Sequence, residues 1–204
     1  MKNREHSGLS SLEMLKANDI DFTTIIDVGV GDHGTPVLME LYPNAKHILL
    51  ECDKEVFDDI DKIYTDLQIP YELIKVKVDE FDPSLNNILK HYKHEWDRPC
   101  LLKIDIDGLP LQVVRGAVDL FPHIDWIMIE TTIKLNRLYN KLKFLSGEQN
   151  WALWDIVDLH YGYGRLAQVD LLFCRPEVYN ELAQKRNKIY TPIQIGNFTW
   201  RGTT

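Results

Sequence analysis

Short apolar runs rich in β-branched residues alternate with helix-compatible segments along this chain. The runs fall at 24–28, 47–51, 71–78, 100–106, 125–130, 156–160 and 168–174, each of a length suited to one strand. Between them the spacing predicts helices near 35–42, 54–67, 84–93, 110–120 and 147–154, with another over 10–17 ahead of the first strand. Continuously apolar strands separated by helices imply a parallel sheet covered on both faces, because each crossover helix packs back onto the sheet. The ending differs. Runs 156–160 and 168–174 are joined by YGYGRLAQ, too short for a crossover helix, so they predict an antiparallel hairpin. The fold class that follows is α/β: a doubly wound, mostly parallel seven-stranded sheet with a C-terminal antiparallel hairpin. One domain fits the 204 residues, with 1–23 as an N-terminal helical extension and 190–204 as an irregular tail.

In open parallel sheets ligands bind beyond the carboxyl ends of the strands, so the residues there are the candidates for chemistry. The first run ends around Asp27 and breaks into Gly29, Gly31 and Gly34, a GxGxxG spacing, before a helix-compatible stretch. Glycines let backbone approach a ligand closely, and a helix N-terminus presents unpaired N–H groups. Glu51 ends the second run, about 20 residues on, where a carboxylate can accept both hydroxyls of a ribose. The unit predicts an adenosine-cofactor half-site. A turn of purely structural use is the alternative, and the position of the carboxylate favours the cofactor.

The remaining tips are also acidic. The third run offers Asp79 and Glu80, the fourth (LLKIDIDG) Asp105 and Asp107, the fifth Glu130, and the sixth Asp158 and His160. Carboxylates gathered at successive tips perturb one another's proton affinity. Asp27 either caps the turn or hydrogen-bonds a cofactor amino group. Asp79 either reaches an adenine amino group or caps the helix beginning near Pro83. Asp105 and Asp107 flank Ile106 and so share a face, with Lys103 on that face to neutralise them. His160 is the only histidine at a predicted tip, hence a candidate general base, with a structural histidine as the alternative. Asp105 with Glu130 also offers a pair of hard oxygen donors suited to a divalent cation. Trp151 and Trp154 fall on the predicted helix 147–154. Tyr161, Tyr163 and Arg165 fall in the glycine-containing loop after the sixth run. Aromatic faces and an arginine there suit a carbohydrate-like acceptor that carries a phosphate, which Arg165 or the lysines near Lys141 could meet. In the alternative, Arg165 pairs with Asp170 or Asp158.

Composition narrows the partners. A net charge of −8 disfavours a general nucleic-acid binder, which needs a positive field. The basic residues Lys134, Arg137, Lys141 and Lys143 read as a solvated helix face. Cys52, Cys100 and Cys174 are odd in number, widely spaced and set in or beside apolar runs, which points to free thiols in a reducing compartment. No apolar run approaches the length of a membrane span, and MKNREHS is no secretory signal, so the expected location is cytoplasmic.

Four segments, IIDVGVGDHGTPVLMELYP, HILLECD, LLKIDIDGLPLQVVRGA and LWDIVDLHYGYGRLAQVDLLFCR, together resemble the FkbM-type S-adenosylmethionine-dependent methyltransferases. The third is the most specific, with its lysine–isoleucine–aspartate strand end, the following glycine, and a helix closing in arginine–glycine–alanine. The likeness spans residues 25 to 175. It implies a class I methyltransferase fold and O-methylation of a small-molecule or glycan acceptor, with S-adenosylmethionine as cofactor. It further implies that Asp27, Gly29 and Gly31 cradle the methionine part, that Glu51 takes the ribose, that Asp79 lies near the adenine, and that Asp105 borders cofactor and acceptor. The chain departs from the family in placing Cys52 where proline usually follows the glutamate, and Asp107 where glutamate is frequent. An NAD(P)-dependent oxidoreductase built on the same GxGxxG unit is the rival reading, disfavoured because residues 130–204 hold no evident substrate domain. A methyltransferase-like domain that binds ligand without turnover is the non-enzymatic rival.

Overall fold

Side chains alternate across a strand, and that alternation separates apolar from polar chemistry in this protein. The structure is a computed structural model that describes residues 8–91 and 96–187. Strands β1 (Thr24–Val28), β2 (Lys46–Glu51), β3 (Tyr71–Lys75), β4 (Cys100–Ile104), β5 (Trp126–Thr132), β6 (Ala152–Gly162) and β7 (Arg165–Cys174) form one sheet in the order β3-β2-β1-β4-β5-β7-β6. The first five are parallel, and β7 runs antiparallel between β5 and β6. The expected seven-stranded plan with its terminal hairpin is therefore present. The strand order reverses between β1 and β4, which opens a crevice at their carboxyl ends.

One sheet face carries Ile26, Leu50, Leu102, Ile104, Ile129 and Leu171. Helices α4 (Leu85–Leu89), α5 (Pro110–Arg115) and α6 (Leu135–Leu142) cover it, contributing Leu85, Val114 and Leu138 to the largest core cluster. On the other face α1 (Gly8–Lys16), α2 (Pro36–Leu41) and α7 (Pro176–Asn187) pack Leu12, Leu38 and Leu182 with Ile25, Leu101 and Trp126. There α3 (Phe57–Asp66) sets Ile60 and Tyr64 against Leu49. Each such side chain fully removed from water contributes about 1.5–3 kcal/mol. The second face does not stay apolar to its top. The same alternation carries it into Asp27, Glu51, Lys103 and Glu130, and the reversed β7 sets Asp170 directly opposite Glu130.

Several expectations are corrected. No helix spans 147–154. Instead α6 continues as a π-helical turn over Lys143–Glu148, Asn150 takes φ +58°, and β6 has begun by Ala152. Trp151 is buried against Phe121 (ring centroids 5.4 Å apart), and Trp154 is a strand residue edge-on to Trp126 at 5.7 Å. The helix expected over 110–120 stops at Arg115 before Gly116 and gives way to a 3₁₀ helix over Val118–His123. That expected over 84–93 spans Leu85–Leu89, and residues 92–95 lie outside the described ones. The third run, expected to residue 78, is strand only as far as Lys75. α7 was not expected, and α6 only as the helix face read from its basic residues. The basic residues do lie in and around α6, with Lys134, Arg137 and Lys143 exposed, but Lys141 is buried and donates to Thr131 Oγ1 at 3.0 Å. The tail expected from residue 190 lies outside the described residues.

Candidate functional site

A cleft of ≈ 390 Å³ opens where the order of strands reverses, lined by Gly29 and Gly31 after β1, Glu51 to Asp53 at the tip of β2, Val76 to Val78 after β3, and Asp105 to Asp107 after β4. Gly29 has φ +84°, and a Cβ placed there would stand 2.1 Å from the carbonyl oxygen of Asp105. Only glycine lets the two loops approach this closely.

Glu51 anchors the cleft. Its Oε2 accepts the Gly31 N–H at 3.0 Å, and its Oε1 accepts the N–H groups of Cys52 at 2.7 Å and Asp53 at 2.9 Å. Burial raises its proton affinity, but these bonds outweigh that and hold the carboxyl below its ordinary range. The Cys52 side chain bonds the carboxylate as well, and Glu51 lines the cleft with acceptor capacity to spare.

Asp27 lies beneath the loop and does not line the cleft. It is fully buried, accepts the Thr35 hydroxyl at 2.6 Å, and pairs with Lys103 Nζ at 3.3 Å. Through Thr35 it ties the end of β1 to the start of α2. Lys103 also reaches Asp105 Oδ2 at 3.1 Å, so one buried ammonium bridges two carboxylates. Burial disfavours that charge, yet Asp27 and Asp105 together hold the ammonium above its ordinary range. Asp79 likewise stands outside the cleft lining. Its carboxylate accepts the N–H of Glu80, and Ser84 rather than Asp79 caps α4 through the Asn87 N–H at 3.2 Å.

A second cavity of ≈ 260 Å³ adjoins the first, sharing Gly29 and Asp105 with it. Gly34 and Thr35 form one wall, Lys103, Asp105, Met128 and Glu130 the floor, and Asp158, His160, Gln168 and Asp170 the wall from β6 and β7. Glu130 shares a side-chain hydrogen bond with Asp105. Burial, that bond and the neighbouring carboxylates push Glu130 up to about 8. Asp105 goes the other way: burial raises it, but Lys103 and the Glu130 bond hold it below the usual carboxylate range. Burial and the charges of Asp105 and Asp158 push Asp170 up to about 7.

His160 lies on β6 opposite Gln168, exposed at the cavity's outer wall. Asp107 lines the first cleft and not the second cavity. Tyr161, Tyr163 and Arg165 are exposed at the hairpin end and line neither cavity. Among the described residues Arg165 pairs with neither Asp158 nor Asp170 within 4.0 Å, so the internal-pair alternative is not realised. Among the described residues no group of three or more His, Cys, Asp or Glu side chains is arranged to hold a metal ion. Asp105 and Glu130 face each other through a hydrogen bond instead.

Sequence reasoning missed Thr35, Gln168 and Asp170 as site residues. Asp170 did carry a signal, as a lone charge inside QVDLLFC, since a charged residue within a buried strand calls for a special environment. Thr35 sits where a helix cap belongs, yet its side chain makes no cap bond and bonds Asp27 instead, which no local pattern reveals.

No protein-family model matches the chain, and no curated protein matches it. Solved structures do. The chain is similar to the METTL16 MTase domain at 16% identity and TM-score 0.55, over 81% of this chain and 65% of that one. It is similar to a putative rRNA-methylase from Clostridium thermocellum at 14% and 0.55, over 82% and 95%. It is also similar to Aeropyrum pernix fibrillarin, solved with natively bound S-adenosyl-L-methionine, at 14% and 0.51, over 74% and 67%. The fold is that of the class I methyltransferases, and the chain spans about two thirds of the length of the METTL16 domain.

Proposed function

We propose that this protein is an S-adenosylmethionine-dependent methyltransferase that O-methylates a hydroxyl of a carbohydrate-like or other small polyhydroxylated acceptor, in the manner of the FkbM-type enzymes it resembles. The observation that carries the cofactor reading is Glu51, fixed at the tip of β2 by three backbone N–H groups in the lining of the cleft. A ribose hydroxyl donates to that carboxylate, Gly29 and Gly31 leave room for the methionine part, and Val76 and Val78 offer apolar surface to the adenine. The bound cofactor supplies an activated sulfonium methyl group; what the chain supplies is alignment, worth on the order of 7–11 kcal/mol in favourable cases.

The acceptor binds in the adjoining cavity, where Asp105, Glu130, Asp158 and Asp170 accept or donate hydrogen bonds to hydroxyls. So many carboxyls beside the reacting carbon disfavour a phosphate at that point, which supports a neutral polyhydroxylated acceptor over a nucleic acid. Tyr161, Tyr163 and Arg165 are left for parts of the acceptor that extend outward. Three free thiols, two of them buried, suit a reducing, cytoplasmic setting.

Calorimetry tests the reading. S-adenosylmethionine and S-adenosylhomocysteine bind, NAD does not bind comparably, and Glu51→Ala weakens binding by roughly 1.5–3 kcal/mol, the scale of charge-assisted hydrogen bonds, while the protein stays folded. Unchanged affinity in the folded variant removes Glu51 from the ribose role. Methyl transfer from labelled cofactor to a panel of free sugars, glycosides and RNA then identifies the acceptor class, and labelled RNA alone would refute the carbohydrate assignment.

A further inference from the structure

We propose that Glu130, rather than His160, takes the acceptor's proton, and that Asp170 is the positioning residue that fits it for this. Glu130 is part-buried between the buried Ile129 and Thr131 of β5, shares a hydrogen bond with Asp105, and stands directly across the β5–β7 ladder from Asp170. All three line the cavity that meets the cofactor cleft at Gly29 and Asp105.

The arrangement divides labour between neighbouring carboxyls. Lys103 bridges Asp27 and Asp105, so Asp105 stays ionised and is a poor base. Glu130 feels Lys141 at a distance but is ion-paired to no cation among the described residues, and the carboxyls of Asp105, Asp170 and Asp107 crowd it. Like charges at this spacing cannot all persist, so a proton is held at Glu130 until neutral to mildly alkaline pH. A base poised near the working pH serves proton abstraction best. The other charged groups around Glu130 are Lys103 on β4, Asp107 after it, Asp158 and His160 on β6, and Lys141 on α6, itself beside Arg137. His160 lines the same cavity but is exposed, and its electrostatic influence falls on Asp105.

In the step itself the acceptor oxygen forms a bond to the cofactor's methyl carbon. The carbon–sulfur bond breaks with its electron pair going to sulfur, which becomes a neutral thioether. The proton passes from the acceptor oxygen to the Glu130 carboxylate.

This rests on the methyltransferase reading, and its test is separable from it. Carboxyl ¹³C NMR titration of the protein, free and saturated with S-adenosylhomocysteine, reads Glu130 directly, with Glu130→Gln identifying its resonance. The expected midpoint lies near 8 and falls by about one unit or more in Asp170→Asn and in Asp105→Asn as a like charge is removed. Calorimetry in parallel shows Glu130→Gln retaining S-adenosylhomocysteine affinity within a few fold. A Glu130 midpoint in the ordinary carboxylate range overturns the proposal, as does a midpoint indifferent to Asp170→Asn. So does a large fall of that midpoint on adding Mg²⁺, which would make the pair cation ligands. Failure of S-adenosylhomocysteine to bind refutes the cofactor reading instead, since the titration of the free protein needs no ligand.

Discussion

Gly29 and Lys103 show how much single positions carry in this site. A Cβ at Gly29 would stand 2.1 Å from the Asp105 carbonyl oxygen, and the backbone there has φ +84°. Gly29→Ala must therefore move either the β1 loop or the β4 loop, in addition to a strain of order 1–3 kcal/mol for a side chain at such a dihedral. Thermal denaturation should register that loss, and calorimetry a weaker affinity for S-adenosylhomocysteine. Lys103 presents a different liability. Its ammonium is the cation of the fully buried Asp27, so Lys103→Met leaves a carboxylate with only the Thr35 hydroxyl. Breaking one partner of a buried pair typically costs about 3–5 kcal/mol, readable in urea denaturation. The double variant Asp27→Asn, Lys103→Met should recover much of it, because no uncompensated charge remains; if the double is as unstable as the single, the pair is not the source of the cost.

The β6–β7 hairpin marks both the reach and the limit of sequence reading. Its existence was legible, since YGYGRLAQ cannot house a crossover, and so was the pairing of 168–174. The extent of β6 was not. The ladder slips between Leu153 and Asp155 and again between Val157 and His160, with Asp158 at φ +50°. Each irregularity breaks the period of two on which strand recognition depends. The residues before 156 then read as helix, although Asn150 at φ +58° had already ended the preceding turn. The opposite error befell α6. Its apolar positions Leu138 and Leu142 pack on the core, but the lysines and arginine between them suggested a solvated face, and a buried lysine bonded to a threonine ten residues earlier has no local signature. The glycine turn and Glu51 were legible because the strand–turn–helix–strand unit that holds them is local in sequence. Thr35 and Asp170 were not, because their partners come from other strands. The hairpin also yields a test. Tyr163 and Gly164 take φ +51° and +75°, the primed geometry that Asn-Gly fills best. Tyr163→Asn should recover part of the roughly 1–2 kcal/mol that a left-handed conformation costs, raising the melting temperature. Cofactor affinity should not change, since Tyr163 lines neither cavity.

Folding concentrates the acid groups of this acidic chain on one end of the sheet, and the protein's stability must answer to pH accordingly. Glu130 and Asp170 have folded proton affinities raised to about 8 and about 7. Each binds its proton more tightly folded than unfolded, so its stabilisation is complete below the unfolded value and is lost as pH rises through the folded one. Glu51 and Asp105 are shifted down. Their contribution is present above the unfolded carboxylate range and is lost as pH falls through their folded values. Lys141 is lowered to about 8, chiefly by burial, so its unfavourable protonation disappears only as pH rises toward the ordinary lysine range. These signs place greatest stability on the mildly acidic side of neutrality, with a decline between about pH 5 and 8 as the unfolded chain sheds protons that the folded site retains. Melting temperatures measured from pH 5 to 9 should show that decline, and Glu130→Gln combined with Asp170→Asn should flatten it. A slope unchanged in the double variant would mean that the proton-holding groups lie elsewhere in the molecule, and the shared carboxyl cluster would lose its energetic role.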